Sequence, residues 1–200
     1  MSTPGGGCSH LKSIYLIRHG QTSWSVSGQH TSRTEIPLTA LGEQQARTLG
    51  DRLRTVTFDH IWVSPRLRAQ RTLQLMELKT LPSIEEDLRE WDYGDYEGRT
   101  SADIAKDNPQ WNLWTDGCPN GEKPSDVSQR CDRLIERLRS LSGAVALFSH
   151  GHFCCALATR WIGLPIVNGQ HLILDPASLS ILGFPDHHPE TTAIRCWNSV

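Results

Sequence analysis

Three short apolar runs in this chain each lead into residues able to grip an anion. SIYLI (13–17) runs into Arg18-His19-Gly20, and HIWVS (60–64) is followed by Pro65-Arg66-Leu67-Arg68. AVALFS (144–149) is followed by His150-Gly151-His152. An arginine beside a histidine at the end of a buried run is costly unless a partner or ligand meets the pair. Guanidinium forks match phosphate oxygens, and the N-termini of following helices add favourable dipoles. Taken singly, a histidine after a strand is an ordinary hydrogen-bonded loop residue, and Arg68 in a first helical turn is an ordinary solvated one. Three such ends in one chain point to a shared cationic site for a phosphate.

For these groups to meet, the runs must be neighbouring strands. Each is too short for a helix, and each lies near a segment of helical periodicity. Residues 39–54 read as a helix capped by Thr39, with Ala46, Leu49 and Leu53 on one face. Val127, Cys131, Leu134, Leu138 and Leu141 recur at steps of four, three, four and three, which predicts an amphipathic helix. Residues 66–78 and 152–162 read as helices following strands. The alternation predicts an α/β three-layer sandwich with a mostly parallel central sheet and helices on both faces. Ligands in such sheets bind beyond the carboxyl ends of the strands. SLSILGF (178–184) and TAIRCW (192–197) flank PDHHP and predict an antiparallel C-terminal strand pair. Residues 88–124 carry Trp91, Trp111 and Trp114 among many Gly, Pro and Asp residues. They read as a lid-like insertion whose tryptophans either wall the substrate or pack inward.

The 200 residues suit one domain over 13–200 behind a flexible tail, 1–12. Twenty basic residues stand against 22 acidic ones, a net charge of −2 without a basic stripe, so no nucleic-acid partner is expected. No apolar stretch approaches membrane-spanning length and none resembles a secretory signal, so no membrane partner is expected. The six cysteines are scattered, which suits free thiols in a reducing cytoplasm. HGHFCC gathers His150, His152, Cys154 and Cys155, but the glycine and the helical run break the alternation a metal site would need. Structural zinc sites pair ligands at two separated places, so neither metal nor other cofactor is expected. Cys154 and Cys155 read as small buried apolar residues. A homo-oligomer stays open.

In order and spacing, LIRHGQT, SPRLRAQRT, LREWDYGDYEG and FSHGH resemble the histidine phosphatase superfamily, which includes the cofactor-dependent phosphoglycerate mutases and many phosphatases. The resemblance runs from Ile14 to Trp197. SGQHTSRTEIPLT (27–39), EWDYGDYEG (90–98) and DGCPNGE (116–122) are similar to its sugar-bisphosphatase branch, of the sedoheptulose-bisphosphatase type. It implies that His19, neutral at one nitrogen, attacks phosphorus in line and forms a phosphohistidine that water hydrolyses. The other ring N–H would be held by a backbone carbonyl. Arg18, Arg68 and His150 would surround the phosphoryl oxygens. Glu90 matches the family's acid position, giving a proton and later activating water. Asp92, Asp95 and Glu97 are its close rivals, Glu97 the more structural. Ser25 stands where mutases carry an asparagine near the phosphate. Thr31 stands where substrate is often reached, with His30 and Ser32 replacing commoner residues beside it.

One departure bears on substrate. Cys155 replaces an arginine usual in the sugar-phosphatase relatives, which puts a second-phosphate clamp in doubt unless Arg160 compensates. The expectation is a metal-independent phosphatase of sugar or polyol monophosphates, acting on a small phosphate ester. The alternatives are phosphoglycerate mutase-type transfer, which needs water exclusion and more substrate clamps, and a non-catalytic phosphate-binding module.

Overall fold

The computed structural model describes residues 11–188 and 190–200, so the expected tail lies outside the described residues up to position 10. Among the described residues six strands form one sheet: β1 (Leu11–Arg18), β2 (His60–Val63), β3 (Pro82–Ile84), β4 (Gly143–Ser149), β5 (Leu179–Gly183) and β6 (Ala193–Ser199). Their order is β3-β2-β4-β1-β5-β6. β1, β4, β2 and β3 run parallel, while β5 is antiparallel to both β1 and β6. The mostly parallel sheet and antiparallel C-terminal pair are those read from the sequence.

The middle strands are apolar because both faces are covered. In β4, Val145 to Phe148 are all buried, and in β1 so are Ile14, Leu16 and Ile17. Short helices α1 (Ser23–Ser27), α4 (Ser101–Asp107) and α5 (Leu113–Asp116) lie in the connections between longer elements. On one face, α2 (Ala40–Leu53) and α3 (Leu67–Met76) pack Leu49, Ala69 and Leu73 against Ile17, Ile61 and Phe148. On the other, α6 (Pro124–Arg139) and α7 (Gly151–Trp161) pack Leu134, Leu138 and Phe153 against Leu16 and Leu147. Each such aliphatic or aromatic side chain contributes about 1.5–3 kcal/mol on full burial. Thr39 caps α2 as expected, its hydroxyl accepting from the Gly42 N–H at 3.0 Å.

Two details differ from the sequence reading. β3 was not foreseen; it is an edge strand with all three side chains exposed, so no apolar alternation marks it. α6 ends at Arg139, and Leu141 continues its apolar period beyond the helix by packing on the same core. Of the tryptophans between 88 and 124, Trp91 and Trp114 are buried in the core edge to face, 5.5 Å apart. Among the described residues no helix is long and apolar enough to cross a membrane.

The register sets up the site. Arg18 pairs with Ser149 across β1 and β4, and Val63 with Phe148 across β2 and β4. The three motif-bearing strand ends are therefore adjacent.

Candidate active site

His19 follows β1 directly, with its backbone N–H donating to Ser149 O at 3.0 Å. Its ring Nδ1 lies 2.8 Å from the Gly20 carbonyl. A carbonyl only accepts, so Nδ1 carries the proton and Nε2 the lone pair. The Arg68 Nε–H donates to that Nε2 at 3.3 Å, consistent with the assignment. Burial, then the charges of Arg68 and Arg18, hold the pKa of His19 well below the ordinary 6.5. At neutral pH the ring is uncharged, with its basic nitrogen set among cations.

Arg68 is buried on the first turn of α3, where its Nη atoms donate to the carbonyls of Thr31, Ser32 and Thr34. The loop offering those carbonyls is pinned in turn by Glu97. Its carboxylate accepts from the backbone N–H groups of Ser32 and Thr34 and from the Ser32 hydroxyl. Glu97 is thus structural, as expected.

His150 caps α7 and stands 5.2 Å from His19 between ring centroids. Its Nε2 is 2.8 Å from Ser64 Oγ at the end of β2. That hydroxyl accepts the Arg66 N–H at 3.3 Å and, being fully buried, has no acceptor among the described residues other than His150 Nε2, so its hydrogen goes there. The proton of His150 then sits on Nδ1, which is buried and has no partner among the described residues. Arg18 presents a second such donor: its Nε is buried and unpartnered while Nη1 donates to Leu174 O. Buried polar groups are almost always satisfied, and two orphan donors beside a basic imidazole are what an anion's oxygens would take up.

Glu90 projects to the N-terminus of α7, where Oε1 accepts from the N–H groups of Trp91 and Phe153 and Oε2 from that of His152. The rival carboxylates are engaged elsewhere: Asp92 forms a two-pronged pair with Arg33, and Asp95 accepts from Asn120. A cavity of about 290 Å³ opens over this centre, bordered by Arg18, His19, Ser25, Thr31 and Glu90. Ser25 and Thr31 thus reach the site, although both hydroxyl hydrogens are already donated, to Thr22 O and Gln29 O. A larger groove of about 800 Å³ runs along α3 and β3 without touching His19.

The backbone around His19 is clamped by close approach. A Cβ on Gly42 would stand 2.1 Å from Gln21 O, and one on Gly20 would stand 2.5 Å from Gly42 O. Only glycine lets the first turn of α2 press on the segment after His19. From α3, Thr72 Oγ1 accepts the Gly20 N–H at 2.9 Å.

Cys155 borders the cavity and directs its thiol to Leu172 O. Arg160 does not compensate for the missing arginine; it is ion-paired with Asp132 on α6. Among the described residues no three His, Cys, Asp or Glu side chains gather as a metal site. Among the cavity-bordering residues that sequence reasoning did not assign are Trp24, His30, Tyr93 and His152. Their convergence depends on loop paths that no local periodicity encodes.

The profile of the histidine phosphatase superfamily (branch 1) matches residues 14–198. An acid phosphatase of Mycobacterium tuberculosis is 41% identical over 175 residues, 86% of each chain. Sedoheptulose 1,7-bisphosphatase of Saccharomyces cerevisiae is 37% identical over 185 residues, covering 76% of this chain and 68% of that one. The solved structure of the Mycobacterium tuberculosis open reading frame Rv3214 superimposes with a TM-score of 0.88 at 36% identity, covering 94% of this chain and 98% of that one. The sedoheptulose-bisphosphatase likeness read from the motifs is therefore one of several of similar strength.

Proposed function

As the chain belongs to the histidine phosphatase superfamily, branch 1, and is a phosphatase-type enzyme for small phosphorylated metabolites, we propose that it hydrolyses sugar or polyol monophosphates through a phosphohistidine on His19. The observation that carries this reading is the pairing of a neutral His19, its Nδ1–H held by Gly20 O, with the unpartnered buried donors of Arg18 and His150. In the first step the Nε2 lone pair attacks phosphorus while Arg68 exchanges its bond to Nε2 for a phosphoryl oxygen. Arg18 and His150 take up further oxygens as charge spreads over them. Glu90, at the cavity wall, gives a proton to the leaving alkoxide and afterwards draws one from the attacking water.

The monophosphate preference is supported by what lines the cavity beyond the phosphate centre. Cys155 stands where a clamp for a second phosphate would, and Arg160 is committed to Asp132. We place the enzyme in the cytoplasm, a reading supported by the unpaired thiols of Cys118, Cys131, Cys154, Cys155 and Cys196.

A panel of sugar monophosphates, polyol phosphates, bisphosphates and phosphoglycerates, assayed for inorganic phosphate with and without a chelator, tests the proposal. Chelator-insensitive release, fastest from monophosphates, is expected. Interconversion of phosphoglycerates without phosphate release would contradict it.

A further inference from the structure

Beyond the phosphate-facing groups, the cavity is walled by three side chains that the hydrolytic step does not use: His30, Tyr93 and His152. Tyr93 is buried, and burial, reinforced by the Glu90 charge, pushes its pKa well above 10. It keeps its proton, and the one acceptor its hydroxyl meets among the described residues is His152 Nδ1, 2.6 Å away, to which it therefore donates. Burial and the Arg18 charge hold the pKa of His152 down to about 4, which leaves the ring neutral. A neutral imidazole that accepts at Nδ1 carries its proton on Nε2. That Nε2–H has no protein partner among the described residues, and the ring borders the cavity.

His30 completes the wall. Its ring lies 4.6 Å from that of Tyr93, tilted by 32°, and 5.9 Å from that of His152. It too is neutral, its pKa brought to about 4 by burial and by His152, against the opposing pull of Glu90 and Glu97. Trp24 and Leu172 add apolar surface, and Arg18 is the one lysine or arginine among the described residues bordering the cavity. A second phosphate or a carboxylate entering here would leave water without meeting a counter-charge, which is costly. A hydroxyl would meet a preset donor.

We propose that His152, held in one tautomer by Tyr93, donates its Nε2–H to a hydroxyl of the substrate's alcohol portion. The site thereby selects esters of uncharged, hydroxyl-bearing alcohols over esters that carry a second anion. This rests on the phosphatase reading above and assigns His152 as its specificity residue, with Tyr93 as the positioning residue.

The test compares kcat/KM for glycerol 3-phosphate, phenyl phosphate and 3-phosphoglycerate in the wild type and in His152→Phe, His152→Gln and Tyr93→Phe. The glutamine amide can replace the Nε2–H donor, and Tyr93→Phe removes a single oxygen, so the test does not rest on one variant folding. In the wild type, glycerol 3-phosphate should exceed 3-phosphoglycerate by about tenfold or more. The ratio of glycerol 3-phosphate to phenyl phosphate should fall about tenfold in His152→Phe, fall less in Tyr93→Phe and be retained in His152→Gln. A ratio unchanged in His152→Phe, an equal loss in His152→Gln, or a wild-type preference for 3-phosphoglycerate overturns the assignment. Absence of phosphate release from all three esters in the wild type would instead defeat the phosphatase reading beneath it.

Discussion

His19 and His150 stand 5.2 Å apart and hold opposite tautomers. His19 gives Nδ1–H to Gly20 O and keeps Nε2 basic, whereas His150 receives at Nε2 from Ser64 and keeps a buried Nδ1–H with no partner among the described residues. The division of labour between nucleophile and donor therefore rests on one carbonyl and one hydroxyl. Ser64→Ala should free the His150 ring to place its proton on either nitrogen and lower kcat by up to about 10²-fold, the lower bound for losing one preorganised donor. Steady-state kinetics of a folded variant check this, and an unchanged kcat would show that Ser64 does not set the tautomer. Arg18, His19, Arg68 and His150 were legible because arginine and histidine at strand ends are conspicuous. Ser64 was visible only as the last residue of an apolar run, since a hydroxyl's partner depends on its three-dimensional neighbours. His30, Tyr93 and His152 were illegible as a group for the same reason: their contacts join segments 59 residues or more apart, as between Tyr93 and His152.

At the scale of elements, the site is a meeting of helix ends with the carboxyl ends of three inner strands, β1, β4 and β2. α2 presses on the segment after His19 through Gly42, α3 carries Arg68 and Thr72, and α7 presents N–H groups to Glu90. Gly42→Ala would force a methyl group against Gln21 O, and either α2 or the nucleophile segment must shift. Overpacking of this kind costs about 1–3 kcal/mol. The variant should show a lower urea midpoint together with lower turnover; a wild-type midpoint and rate would mean the contact relaxes freely. The helices were legible because each has a broad apolar face and, for α2, a threonine cap. β3 was not, because an exposed edge strand of three residues carries no pattern.

Across the whole molecule, the net charge of −2 hides arginines gathered about His19 and His150, two of four histidines held neutral. His19 and His150 lie well below the ordinary value of 6.5, and His30 and His152 at about 4. Between those values and 6.5, the unfolded chain binds more protons than the folded one, so acid favours unfolding. The stability these groups confer is complete above pH 6.5 and is lost as pH falls toward their folded values. Each contributes about 1.4 kcal/mol per pH unit within that window. Urea midpoints should hold between pH 7.5 and 7.0 and fall steadily from pH 6.5 to 5.0, above the range in which most carboxylates titrate. A flat profile over that interval would show that the four rings do not remain neutral when folded. The overall architecture was readable from alternating strand and helix patterns, because the parallel sheet leaves continuous apolar runs. The neutral wall was not, since it arises from burial that only the assembled chain imposes.

The most direct measurement of the central claim is rapid-quench labelling during turnover of a ³²P-labelled monophosphate, followed by mapping of the acid-labile adduct. The account predicts a phosphoryl group on Nε2 of His19, absent in His19→Ala together with phosphate release. An adduct on another side chain, or turnover near wild type in His19→Ala, would contradict it.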